Sequence, residues 1–219
     1  MTEMRCLGYA ASSLFAVVLL SRVVQAQQPL KQRPASGKPA PNTNSATLDP
    51  GGITADVYRS PSFGFTYKIP FGWVDRTQEM SEDSSDPKKS ILLLAVFERP
   101  PEASGDSVNS AVVVAAEAAA SYPGLRNAEQ YFGPLTELTK SKGLKVVNEP
   151  YEFPVGAKQL VRGDFSKPLR NLTMHQSTLV MMEKGYVVSF TFIGGSEDEV
   201  DGLVEALSFS AKKPATPHK

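Results

Sequence analysis

The chemistry that this chain could carry depends first on histidine, and the 219 residues contain two of them, His175 and His218. A nucleophile near neutral pH usually needs a neighbouring base, and histidine is the side chain whose charge changes there. His218 lies in a proline-containing end segment. His175 lies in a predicted strand on the same side as Ser177, and it could face Asp164 from a neighbouring strand.

No G-x-S-x-G motif accompanies this set of residues. We therefore favour a strand histidine that hydrogen-bonds a neighbour or water, and a hydrolase using His175 is the least favoured hypothesis. The sequence predicts no catalytic residue and no cofactor site.

No metal site is predicted either. The acidic segment from Glu82 to Asp86 could hold calcium weakly, but it lacks the alternating ligands, the glycine and the terminal glutamate of an EF-hand loop. A solvated loop is the favoured interpretation. The only cysteine, Cys6, precedes an apolar run, so a processed chain would carry neither a thiol nor a disulfide.

Residues 1–26 resemble an export signal. Arg5 supplies a positive start, residues 7–20 are mostly apolar, and residues 24–26 offer small side chains for cleavage. The apolar run ends at Arg22, short of the roughly 18 residues that span a bilayer, so we favour cleavage over a retained anchor. This predicts a periplasmic or secreted protein with no membrane insertion after cleavage.

The charge balance excludes some partners. The chain has 23 basic and 23 acidic side chains, and removal of the signal takes away Arg5, Arg22 and Glu3, leaving a net charge of −1. A chain with this charge balance has no excess of positive charge with which to bind nucleic acid or anionic lipid.

Composition also divides the chain. Residues 27–56 are rich in proline and poor in large apolar side chains, which predicts a disordered linker. Residues 57–210 form the predicted domain, and residues 211–219 form a short disordered tail. Stability must then come from a packed apolar core within that one domain.

The elements of the domain follow from its periodicity. Phe63, Phe65, Tyr67 and Ile69 alternate with small or polar residues, which predicts a strand with one buried face. Further strands are predicted at residues 91–97, 144–153, 157–165, 171–182 and 186–193, the first of them covered on both faces and the last two joined as a hairpin. Residues 111–120 fit either a strand or a helix, because residues 112–114 are valines and the alanines around them favour a helix, and we favour a strand.

Two helices are predicted beside these strands. Apolar side chains at residues 125–138 have helical spacing, with a kink or restart at Gly133-Pro134 and a stop at Gly143. Ser196 and Glu199 form a capping box before a second amphipathic helix. Short connections between strands favour an α+β fold, a largely antiparallel sheet flanked by helices as an α-β-α sandwich.

Four segments, together with the order of these elements, carry a resemblance to a known family: FGFTYKIPFGW at residues 63–73, KGYVVSF at 184–190, SEDE at 196–199 and LSF at 207–209. This resemblance is to the PsbP-like (Mog/PsbP) superfamily. It implies a PsbP-like sandwich and a non-enzymatic binding or assembly factor, since the superfamily includes extrinsic photosystem proteins, a Ran-binding import factor and exported bacterial proteins.

Three aromatic residues near the start of the domain are candidate contacts for a partner: Tyr58, Phe71 and Trp73. Trp73 is expected to plug one end of the sandwich, and Phe71 becomes the better candidate if it is exposed. Edge strands could also accept a partner by strand addition.

The favoured hypothesis is therefore an exported, non-enzymatic module of the cell envelope that contacts a protein partner. The alternative is a small-molecule or lipid carrier with a cavity between helix and sheet lined by Met174, Met181 and Met182. The sequence assigns neither a particular partner nor an oligomeric state.

Overall fold

The computed structural model describes residues 48–82, 90–103 and 105–209. The predicted signal with Cys6, the linker up to residue 47, the acidic stretch at 83–86 and the tail with His218 lie outside the described residues.

The described part of the chain contains eleven strands and three α-helices. In chain order they are β1 Gly52–Thr54, β2 Val57–Ser60, β3 Phe65–Lys68, β4 Val74–Asp75, α1 Thr77–Glu82, β5 Ser90–Phe97, β6 Ala111–Ala118, α2 Ala128–Ser141, β7 Lys145–Val155, β8 Lys158–Leu169, β9 Leu172–Glu183, β10 Tyr186–Gly194, α3 Glu197–Glu205 and β11 Leu207–Phe209. A 3₁₀ turn at Ala119–Ser121 follows β6.

The strands form two antiparallel sheets. The larger has the order β4-β5-β6-β10-β9-β8-β7, and the smaller has the order β1-β2-β3-β11. Short turns impose this arrangement: Lys184 and Gly185 both have positive φ, as a two-residue hairpin loop requires, and they join β9 to β10. The predicted antiparallel sheet is confirmed.

The larger sheet is covered on both faces. Helix α2 packs on one face over β7, β8 and β9, where Phe132, Leu135 and Phe165 belong to one apolar cluster. Helix α3 and the smaller sheet pack on the other face, where Val200, Phe190 and Phe192 belong to a second cluster. Strand β5 is apolar along its length because both faces are buried, as predicted for residues 91–97. The α+β sandwich is confirmed, and a second small sheet shares one layer with α3.

Local capping and packing explain where the helices run. Ser196 accepts a hydrogen bond from the N–H of Glu199 at 3.1 Å, which confirms the predicted cap of α3. Of the two outcomes predicted at Gly133-Pro134, a kink or a restart, the restart does not occur, because α2 continues through Pro134. Buried Phe132 and Leu135 anchor the helix to the sheet on both sides of the proline.

One strand of the structure lies within the segment that was predicted to be a disordered linker. Gly52–Thr54, within the predicted linker, form β1 and pair with β2. Helix α1 lies where the sequence offered no periodic signal.

Candidate functional site

A polar groove of about 490 Å³ lies beside α3, on the face of the sheet that this helix shares with the smaller sheet. Helix α3 packs on β10 and β9, and the neighbouring parts of β8 and β7 form the floor of the groove. The residues used below are Asn148 and Tyr151 of β7, Arg162 and Asp164 of β8, His175 and Ser177 of β9, and Glu197 and Asp201 of α3.

Strand register brings the floor residues together. Asp164 lies opposite Asn148 on β7 and opposite Ser177 on β9. Side chains two residues apart on a strand point to the same face, so Arg162 joins Asp164, and His175 joins Ser177. The predicted proximity of Asp164, His175 and Ser177 is therefore observed.

Asp164 is the centre of a hydrogen-bond network. One oxygen accepts from Nε of Arg162 at 2.8 Å and from the hydroxyl of Ser177. The other accepts from the hydroxyl of Tyr151 at 3.1 Å and from Nδ2 of Asn148 at 3.2 Å. Burial alone would raise the pKa of Asp164, but the hydrogen bonds from Ser177 and Arg162 and the charge of Arg162 outweigh it and lower that pKa.

Arg162 ties the floor to the helix. Its Nη2 donates to Asp201 of α3 at 2.7 Å, and its guanidinium carbon lies 5.0 Å from the centre of the Phe153 ring. The guanidinium is thus held by two carboxylates and an aromatic face, and the floor of the groove has a defined shape.

The geometry does not assemble a nucleophile with its base. The hydroxyl of Ser177 donates to Asp164, and Nδ1 of His175 lies 3.7 Å from a carboxylate oxygen of Glu197. Among the described residues, no hydrogen bond joins His175 to Ser177 or to Asp164. A proton-transfer chain through His175 would need that contact.

The aromatic residues predicted as contacts occupy different environments. Tyr58 is 2% exposed and its hydroxyl donates to the carbonyl of Pro50, so the prediction that it lies on a contact surface is wrong. Trp73 is partly buried against the core on the α3 side. Phe71, in the turn between β3 and β4, is 97% exposed. Phe71 is the one of the three that remains available to a partner.

The methionines proposed to line a carrier cavity do not share one space. Met174 and Met182 pack on the α2 side of the sheet, whereas Met181 packs on the α3 side. Alternation along β9 separates them, so this predicted lining is wrong.

A second cleft, of about 340 Å³, opens between α2 and the sheet. Glu117 of β6 lies in it with Tyr122 and Tyr131. The hydroxyl of Tyr122 donates to one oxygen of Glu117, and that of Tyr131 donates to the other at 3.3 Å. Burial raises the pKa of Glu117 in spite of these hydrogen bonds. This site was not predicted from the sequence, although a single acid within the alanine and valine residues of β6 is a usable signal.

Residues 48–82, 90–103 and 105–209 contain no group of three or more His, Cys, Asp or Glu side chains placed to hold a metal ion. None of their helices combines the length and the apolar character needed to cross a bilayer.

No protein-family model and no curated protein matches this chain. Similar solved structures include cyanobacterial PsbP (CyanoP) from Synechocystis sp. PCC 6803, at 12% identity and a TM-score of 0.47, covering 73% of this chain and 96% of that one. LpqN of Mycobacterium tuberculosis, described as involved in cell envelope biogenesis, has 11% identity and a TM-score of 0.38, covering 74% of this chain and 87% of that one.

The Ran-binding protein Mog1p of Saccharomyces cerevisiae is also similar, at 13% identity and a TM-score of 0.38, covering 67% of this chain and 80% of that one. PsbP and Mog1p are the proteins after which the resembled superfamily is named, and the likeness to them is one of fold. At these scores the likenesses carry no information on ligand, partner or activity.

Proposed function

We propose that this protein is an exported, non-enzymatic binding module of the cell envelope, and that the groove beside α3 receives a basic segment of a protein partner. The observation that carries the proposal is a groove with an internally hydrogen-bonded floor and an acidic, solvent-exposed rim. The side chains of Glu197 and Asp201 on that rim are 72% and 54% exposed.

The floor supports binding rather than catalysis. Asp164 accepts four hydrogen bonds, which fill the lone-pair positions of a carboxylate. A carboxylate held in this way is a weak base, and the hydroxyl that it accepts from is not activated by His175. The network instead keeps the groove in one shape before a partner arrives, which reduces the entropy lost on binding.

The charges of the groove favour a cationic partner. Arg162 neutralises part of the negative charge of Asp164 and Asp201, and Glu197 adds a further negative charge. Three carboxylates thus face one guanidinium, so these groups together carry surplus negative charge. Exposed Val147 and Tyr151 on β7 offer apolar contact beside it, a combination suited to a lysine or arginine in a partly apolar segment.

The form of β7 favours contact through side chains over strand addition. This strand is the long edge of the larger sheet, but Pro150 and Pro154 lack backbone N–H donors. Its pairing with β8 also shifts register twice between Val146 and Tyr151. Prolines and bulges are the usual means of blocking edge-to-edge pairing.

The test is affinity capture of partners from an envelope extract by the protein and by two charge-reversed variants. Glu197→Lys reverses a charge on the rim of the groove. Glu205→Lys is the matched control, because it makes the same change at an exposed position of α3 outside the groove. Mass spectrometry should recover one stoichiometric protein with the unchanged chain and with Glu205→Lys, and at least tenfold less of it with Glu197→Lys.

Equal recovery with both variants would overturn the assignment of the groove. Loss of recovery in a Phe71→Ser variant alone would move the contact to the β3–β4 turn. Co-purification of a lipid without any protein would favour the carrier function instead.

A further inference from the structure

We propose that the cleft under α2 binds a small organic ammonium ion, with Glu117 as its counter-ion and Tyr122 and Tyr131 as its aromatic wall. This site lies on the opposite face of the larger sheet from the α3 groove, so the inference is independent of the proposed function.

The first observation is a carboxylate that has no cationic side chain of residues 48–82, 90–103 or 105–209 as an ion-pair partner. Glu117 projects from β6 towards α2, and none of the ion pairs formed among the described residues includes it. Burial of a carboxylate is costly unless it is paired, and the raised pKa of Glu117 reflects that cost. A bound cation would supply the missing partner.

The second observation is unused hydrogen-bonding capacity. An ionised carboxylate can accept about four hydrogen bonds, and Glu117 accepts one on each oxygen from the two tyrosines. The positions that remain suit the several N–H donors of an ammonium group. Tyr122 and Tyr131 hold the carboxylate in place for such a ligand.

The third observation is the wall of the cleft. The rings of Tyr122 and Tyr131 lie edge to face, with their centres 5.2 Å apart, and tyrosine rings attract organic cations. Pro134, Leu135 and Leu138 of α2 supply apolar surface for an alkyl or aryl substituent. The volume of about 340 Å³ is on the order of ten times the roughly 30 Å³ that a water molecule occupies in the liquid.

The probe is benzylamine, and its neutral counterpart is benzyl alcohol, which has nearly the same shape. Calorimetric titration of the purified protein at about pH 7.5, roughly half a pH unit above neutrality, should show saturable binding of benzylamine at least tenfold tighter than that of benzyl alcohol. Equal affinity for the two compounds, or no saturable binding of benzylamine, would overturn the proposal.

Two matched variants locate the site. Glu117→Gln keeps the shape of the side chain but removes its charge, and should weaken benzylamine binding at least tenfold. Glu137→Gln removes a charge from the same cleft that makes no hydrogen bond to the tyrosines, and should change the affinity less than threefold. Binding that survives Glu117→Gln unchanged would contradict the assignment.

A pH series separates a charge effect from a packing effect. The titratable groups that face the cleft are Glu117 of β6, Tyr122 after the 3₁₀ turn, and Tyr131 and Glu137 of α2. Because the pKa of Glu117 is raised, affinity for benzylamine should increase as the pH rises through that pKa and then level off. The Glu117→Gln protein should lack this step.

The variant must also be shown to fold. The ionised form of Glu117 is disfavoured in the folded protein, so Glu117→Gln should unfold at an equal or higher urea concentration at neutral pH. The gain in stability of the variant over the unchanged protein should shrink as the pH falls towards the ordinary pKa of glutamic acid. A variant that is stable but no longer binds benzylamine separates loss of the site from loss of the fold.

Discussion

Asp164 shows how one residue can organise a surface without acting as a catalyst. It connects three strands through side-chain hydrogen bonds, and through Arg162 it connects the sheet to α3. Its side chain is 13% exposed, so these interactions are only weakly screened by solvent.

The Asp164→Asn variant tests this role. Because the substitution removes the charge-assisted hydrogen bonds of the carboxylate, it should lower the free energy of unfolding by about 2 kcal/mol at pH 7. Urea denaturation measures this change. The folded pKa of Asp164 is depressed, so the stability it contributes is present above the pKa of the unfolded state, about 4. The difference between the two proteins should shrink as the pH falls from there through the folded pKa. A constant difference down to pH 2, a value about two units below that unfolded pKa, would contradict the assignment.

At the scale of elements, Gly163 explains how α2 approaches the sheet so closely. A Cβ at Gly163 would lie 2.5 Å from Cε1 and 2.9 Å from Cδ1 of Phe132, a buried side chain of α2. The bare backbone of β8 is therefore part of the helix-packing surface, and the Phe132 ring occupies the space that a larger residue would fill.

We expect Gly163→Ala to lower the free energy of unfolding by about 1–3 kcal/mol, because the core on the α2 side would be overpacked. The control is Gly202→Ala in α3, where a Cβ meets no atom within 4 Å. That change should stabilise the protein by about 0.5–1 kcal/mol, since alanine favours a helix. Urea denaturation of both variants checks that the two changes in the free energy of unfolding have opposite signs. A Gly163→Ala protein as stable as the unchanged chain would contradict close packing of Phe132 on Gly163.

At the scale of the whole molecule, the ordered structure reaches further towards the N-terminus than composition predicts. Leu48 packs against the core on the α3 side, β1 pairs with β2, and the carbonyl of Pro50 accepts from the buried hydroxyl of Tyr58. The first residues of the predicted domain therefore depend on residues that the proline-rich composition assigned to the linker.

Two truncated chains test this boundary. A protein that begins at residue 57 should be less stable than one that begins at residue 48, by roughly 1–3 kcal/mol, because Tyr58 loses its acceptor and β2 loses its partner strand. Thermal or urea unfolding measures the difference. Equal free energies of unfolding for the two truncated chains would place the start of the domain at residue 57.

Several parts of the fold could be predicted from the sequence because their signals are local. The alternation at residues 63–69, the apolar run of β5, the turn at Lys184-Gly185 and the cap at Ser196 each depend on neighbours within a few residues. Such signals predicted the antiparallel sheet, the capped last helix and the α+β class. They failed at Pro134, where packing against the sheet overrides a local tendency to interrupt the helix.

The candidate sites depend on contacts that no local pattern encodes. Asp164 meets Ser177 because the register of β8 on β9 places them opposite each other, and Glu117 meets Tyr131 because α2 packs on the face of the larger sheet from which Glu117 projects. Strand register and helix placement are set by the packing of the whole core. The sequence by itself therefore determined the elements and the class of fold. The tertiary structure decided which polar groups meet, which cleft holds the carboxylate of Glu117, and that Tyr58 is buried while Phe71 is exposed.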